Sequence, residues 1–402
     1  MHNRQTYLGF IGYIFIGTVA VLIPAIMPFI TEEYSATLSL AAIGLIFPAR
    51  SAGGIVGNLL AGVGSDVIGR QRMVWVSALL AAGALGLAAV ARPWSLFLLG
   101  FMLISAAQGG LGTGLNAMIA DANRHARARA LNILHGIYGV GAAISPLIIG
   151  YLIQQGLPWR WALGYTGVIW LVYAGISALL TQTSQAREMR ETDEDNPKEK
   201  PGASMVSYLE LMRQGPPLAL FFIAFAYNGV AYSLLGWVAI FMQESAGLST
   251  FLSISMISVF YFALTAGRFI CAAITETFGY ARILLMLAIG ITGTYPLVVL
   301  DINPTINPII MVTGVFLTGL SLSGLFPTTL AYAARLYPEQ TGTVTGFLNV
   351  SMTLGAMLPP LWTGIVADLW HFQFALGLNY VIVLPLIPIA WYLRTVEQSM
   401  PR

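Results

Sequence analysis

Residues 57–72 read GNLLAGVGSDVIGRQR, and residues 267–282 read GRFICAAITETFGYAR. Gly57, Asp66, Gly69 and Arg72 of the first stretch return as Gly267, Glu276, Gly279 and Arg282 of the second, each 210 residues later. Gly141, Pro146 and Gly150 return as Gly355, Pro360 and Gly364, each 214 residues later. Two separately spaced sets with nearly equal offsets predict a duplicated unit. In each stretch an apolar run ends in a short turn carrying an acid, a glycine and an arginine. The repeat is therefore built from apolar helices joined by brief polar turns.

Composition says what surrounds those helices. Of the 402 residues, 57% are hydrophobic and 9% are charged, whereas a soluble globular chain carries about 25% charged residues. A chain of this size in water needs more polar surface than that. A soluble enzyme, a disordered chain and a collagen-like chain are excluded, and lipid is the expected partner over most of the surface. The 42 glycines and 20 prolines fit membrane helices, where both residues are commoner than in soluble ones. A single cysteine, Cys271, excludes an internal disulfide. A net charge of +2 gives no reason to expect nucleic acid.

A bilayer core needs roughly 20 apolar residues per helix. On that measure the sequence predicts twelve spans, at 7–30, 38–61, 73–91, 95–120, 130–154, 161–180, 217–241, 253–274, 283–300, 308–334, 344–366 and 372–393. Alternating barrel patterning is absent. The expected fold is an all-α membrane protein with two pseudo-symmetric six-helix bundles, at 1–181 and 215–402. A cytoplasmic linker at 182–214, containing ETDEDNPKEKPG, joins them. The stretch 7–30 is expected to be a first span rather than a signal peptide, because its apolar run is too long.

With an even span number both termini share one side. Fifteen Lys and Arg fall on that side, only Arg92 and Arg160 on the other, and Arg50 and Arg268 lie inside spans. This bias predicts cytoplasmic termini and a multi-pass protein of a plasma membrane, the bacterial inner membrane being the expected setting.

The turn GVGSDVIGRQR, residues 62–72, resembles the signature cytoplasmic loop of the major facilitator superfamily. Asp66, Gly69, Arg70 and Arg72 match it, while Val67 replaces the usual basic residue. The acid of such a turn can face a helix N-terminus, where partial positive charge favours it. Asp121 and Arg129 resemble the loop's acid and base partners, and Arg268 with Glu276 occupies the repeat of the same region. The resemblance implies that Asp66, Gly69, Arg70, Asp121, Arg129, Arg268 and Glu276 form a conformational latch; an ordinary positive-inside turn is the alternative. Spans four and five, GGLGTGLNAMIAD then RARALNILHGIYGVGAAISPLIIG, resemble the fucose–proton symporter-like branch and related sugar facilitators. Gly141, Pro146 and Gly150 also partly match the antiporter signature of drug exporters, although Ser145 and Ile149 depart from it.

Candidate solute contacts are the polar residues at mid-span. Arg50 lies near the middle of span two, where a charge is costly unless it faces a cavity or a partner. Two readings fit: it binds an anionic or hydroxyl-rich solute, or backbone carbonyls and hydroxyls neutralise it. Gln108, Asn132, His135, Tyr138, Asn228 and Tyr232 are the other candidates. Amides and aromatic rings suit sugar hydroxyls and ring faces, but amides and histidine also bond helix to helix. His135 is the candidate proton carrier within a span. All 17 acids map to loops, linker or span ends, with Glu32 and Glu33 as outward-side coupling candidates. No metal or cofactor is expected, only a proton gradient.

The expectation is a secondary transporter, not an enzyme. It would move a sugar or sugar-like compound by alternating access about a midplane site, coupled to protons and working as a monomer. The alternatives are a small organic anion bound at Arg50, export of amphipathic compounds or lipids, and a transport-derived receptor.

Overall fold

The structure is a computed structural model that describes residues 2–123, 127–188, 210–301 and 306–399. Among the described residues twelve helices are long and apolar enough to cross a membrane. They are Thr6–Tyr34, Leu40–Ala61, Arg70–Val90, Trp94–Ala120, Ile133–Gln154 and Arg160–Leu180, then Gly215–Ala246, Thr250–Thr275, Tyr280–Val299, Asn307–Leu336, Pro338–Leu369 and Phe372–Ser399, called spans one to twelve. No strand occurs among the described residues. The all-α, twelve-span expectation holds. Several helices run past the apolar stretch, as span twelve does to Ser399, because backbone bonding continues into polar residues beyond the hydrocarbon.

Two compact units emerge, Met1–Phe29 with Pro48–Pro197, and Ile30–Phe47 with Lys198–Arg402. The stretch Ile30–Phe47, which joins spans one and two, thus groups with the second unit and not with its neighbours in sequence. Local bonds account for this. The Asp368 carboxylate accepts the Leu40 N–H at 3.1 Å, satisfying a donor that a helix start leaves open. Phe47 packs against Trp237 with ring centroids 5.7 Å apart.

Proline places the interruptions in several spans. Span two breaks after Gly44, span ten at Ser323–Gly324 and span twelve at Leu384–Pro385. Each break lies about one turn before a proline, Pro48, Pro327 and Pro388 respectively, which has no N–H for the carbonyl four residues back.

The repeated glycines show why the two halves share a pattern. A side chain on Gly141 would sit on the Ile14 carbonyl of span one, and one on Gly355 would sit on the Phe225 carbonyl of span seven. Likewise Gly57 abuts Ala106 of span four, and Gly267 abuts Leu320 and Ser323. Each unit therefore holds the same two backbone contacts, first span to fifth and second span to fourth. In lipid, close backbone approach replaces the hydrophobic drive that is missing between helices. The turn glycines repeat as well. Gly69 has φ 85° and ψ 150°, and Gly279 has φ 84° and ψ 154°, a region essentially closed to other residues.

Polar bonds lock the second unit. Asn379 is fully buried, accepts the Trp362 indole N–H at 2.6 Å and donates to Thr363 Oγ1 at 3.0 Å. Trp237, also fully buried, donates to the Pro360 carbonyl at 2.9 Å.

Candidate functional site

Arg50 lies within the helix Ile46–Ile68. Ile46, Phe47, Gly53, Gly57 and Ala61 are buried, and all fall within about 60° of Arg50 around the axis at 3.6 residues per turn. Leu45, Ile55, Val56 and Leu59 are exposed and lie on the opposite side. Arg50 therefore sits at the centre of the packed face, away from the face that lipid covers. It is half-buried. Among the described residues no hydrogen bond or ion pair reaches its guanidinium.

The other polar candidates of the first unit differ in what they do, and span five, which begins at Ile133, places His135 near its start rather than at its middle. Gln108 Nε2 donates to the Ile16 carbonyl at 3.2 Å, tying span four to span one. His135 is exposed, and its ring meets buried Tyr13 edge-on at 5.4 Å and 89°. Tyr138 is half-buried, and its backbone carbonyl is the group that Gly17 approaches. The side chain of Asn132 lies outside those described. Two residues enter that the sequence reading did not select. Tyr13 pairs edge-on with His135 and also lies beside the side chain of Asn116. Asn116 was visible as part of the glycine-rich pattern of span four. Tyr13 had no local signal, because only packing brings spans one and five together.

In the second unit Asn228 is buried, and its Nδ2 donates to the Met352 carbonyl at 2.9 Å. This is again a bond between spans, seven to eleven. Tyr232, one turn on, is half-buried. Arg268 donates from Nη2 to the Tyr227 hydroxyl at 3.0 Å, and the Tyr227 ring stacks on Phe326 at 5.9 Å. Arg268 thus bonds within its own unit, span eight to span seven.

The latch residues are partly placed. Gly69 forms the positive-φ turn, and Arg70 begins span three in an exposed position. The side chains of Asp66, Asp121, Arg129 and Glu276 lie outside those described. At the repeated turn an acid from elsewhere takes the helix start. Glu397 Oε2 accepts the Ala281 N–H at 3.1 Å, and its Oε1 lies 3.7 Å from Arg335. Spacing did not point to Glu397, which lies 121 residues (397 − 276) beyond the acid of the motif. Glu32 and Glu33 are both exposed at the end of span one. Among the described residues no group of His, Cys, Asp or Glu is placed to hold a metal ion.

Comparison with known proteins agrees with this architecture. The model of the Major Facilitator Superfamily matches residues 9–306 and 293–402. The chain is 23% identical to the uncharacterized MFS-type transporter YfkL of Bacillus subtilis, over 89% of this chain and 87% of that protein. From the same organism, the glucose/mannose transporter GlcP is 20% identical over 99% of this chain and 97% of its own. The hexuronate transporter is 24% identical over 85% and 82%. Among solved structures, a bacterial homolog of the human lysosomal transporter Spinster, inward-facing and unoccupied, superposes with a TM-score of 0.75. It shares 15% identity, with 97% of this chain and 96% of that one covered. The nucleoside transporter NupG gives a TM-score of 0.75 at 12% identity, covering 96% and 99%. With its twelve spans and a family match over nearly its whole length, this chain belongs to the Major Facilitator Superfamily, and it is a multi-pass membrane transporter of small solutes rather than an enzyme.

Proposed function

We propose that this chain moves a sugar or sugar-like compound across a plasma membrane by alternating access, coupled to proton movement. The observation that carries the reading is His135 beside Tyr13, a titratable ring exposed within an apolar span and edge-on to a buried aromatic. Histidine changes charge near neutral pH, and a phenol with an imidazole offers both donors and acceptors to hydroxyls. The resemblance of spans four and five to the fucose–proton symporter-like branch supports the same class. So do the names of two relatives, a glucose/mannose transporter and a hexuronate transporter. The excess of basic residues on the side of the termini supports a cytoplasmic location for both, and a bacterial inner membrane is part of the proposal.

The test is uptake into sealed vesicles holding the purified protein, with labelled glucose and labelled hexuronate. Accumulation driven by an inward proton gradient is expected. Uptake that ignores the gradient would remove proton coupling, and no uptake or exchange of either compound would remove the substrate class.

A further inference from the structure

We infer that the solute carries a carboxylate, and that Arg50 is the group that binds it. The inference rests on the proposed transport of a sugar-like solute and narrows it to an acidic one.

A guanidinium cannot shed its proton inside a protein, so the neutral form that rescues a buried lysine is closed to it. An arginine at mid-span must therefore face water, a counter-charge or a set of carbonyls. Among the described residues Arg50 and Arg268 are the arginines that lie well away from the ends of their spans, and they are treated differently. Arg268 has the Tyr227 hydroxyl at 3.0 Å. Arg50 has no hydrogen bond or ion pair among the described residues, so no described carbonyl or hydroxyl of its own bundle neutralises it. The contrast with Arg160, near a span end, is informative. That side chain donates to the Ala88 carbonyl at 3.0 Å and lies 4.6 Å over the Trp159 ring. This fold can supply partners to an arginine, and it supplies none of these to Arg50.

Orientation excludes the simplest alternative, a charge reaching out to lipid headgroups. Arg50 is centred on the buried face of its helix, between Phe47 on one side and Gly53 on the other. Gly53 and Gly57 draw the helix against the backbone of Met102 and Ala106 in span four. The side chain is thus held on a packed face, at mid-span, with its donors unspent. Among the described acids none lies in a span interior to compete for it. A planar guanidinium with paired donors matches a carboxylate in two-point geometry, which a neutral hydroxyl cannot reproduce.

The test uses the full chain in detergent, with thermal stabilisation read against ligand concentration. The probes are a hexuronate, its neutral amide, the matching neutral hexose and sodium chloride. Stabilisation by the hexuronate well above that by the amide and the hexose is expected. Arg50→Gln should weaken hexuronate binding by at least about 30-fold while leaving the unliganded melting temperature near that of the parent. Arg50→Lys, which keeps the charge but loses the two-point geometry, should fall between. Equal stabilisation by hexose and hexuronate, unchanged in Arg50→Gln, would overturn the carboxylate inference and leave the sugar reading standing. A response to sodium chloride as large as that to hexuronate would overturn the inference too. No response to any sugar or sugar acid would overturn both.

Discussion

Glu397, near the end of span twelve, accepts the backbone N–H of Ala281 at 3.1 Å and so closes the first turn of span nine. Its second oxygen lies 3.7 Å from Arg335. An acid at a helix N-terminus satisfies an open donor and meets the positive end of the helix dipole. Glu397→Ala is expected to lower stability by about 1 kcal/mol. Glu397→Gln, which keeps an acceptor, should lose less. Melting of the two variants in detergent ranks them, and equal losses would show that the charge matters and the hydrogen bond does not.

Gly141 and Gly355 make the same backbone contact in the two units, so they should share a penalty. Gly141→Val forces a side chain onto the Ile14 carbonyl, and Gly355→Val does so on the Phe225 carbonyl. Each is expected to cost roughly 3 kcal/mol or prevent a monodisperse fold. Gly54→Ala, inside a helix with open space around it, is the control and should be neutral or stabilising by up to about 1 kcal/mol. Size-exclusion profiles of the expressed variants distinguish the cases.

The turn glycines predict a second matched pair. Gly69→Ala and Gly279→Ala place a side chain on backbone with φ near +85°, at a cost of about 1–3 kcal/mol each. Similar losses in thermal stability at the two positions are expected. A loss at one position alone would break the equivalence of the two turns.

Asn379 bonds Trp362 at 2.6 Å and Thr363 at 3.0 Å from a fully buried position. Asn379→Leu keeps the approximate volume and leaves the Trp362 indole N–H without its acceptor, while Thr363 keeps its bond to the Pro359 carbonyl at 2.9 Å; the expected cost is about 2 kcal/mol. Thermal melting followed by tryptophan fluorescence checks it, and an unshifted transition would mean the network contributes nothing net.

His135→Gln keeps a polar side chain beside Tyr13 and removes the titratable ring. Under the proposed coupling, uptake should lose its pH dependence between about pH 5 and 8, the range in which histidine changes charge. A pH profile identical to that of the parent protein would take His135 out of the coupling path.

Much of this protein was legible in one dimension. Hydrocarbon tolerates only helices and closed barrels, and barrel alternation is absent, so span number and helical class follow from composition and run length. The doubling was legible because the same backbone contacts, Gly57 with Ala106 and Gly267 with Leu320, demand the same glycines in each half. The exceptional position of Arg50 was also visible, since a charge inside an apolar run needs no fold to stand out. Partners were not legible. Gln108 and Asn228 were equally suited to a solute or to a neighbouring helix, and only packing turned their amide N–H groups to the Ile16 and Met352 carbonyls. The same holds for His135 with Tyr13, for Glu397 with Ala281, and for the grouping of Ile30–Phe47 with the second unit. Sequence sets which groups must be satisfied. Which distant atom satisfies each, and which group is left for a ligand, depends on helices far apart in the chain lying side by side.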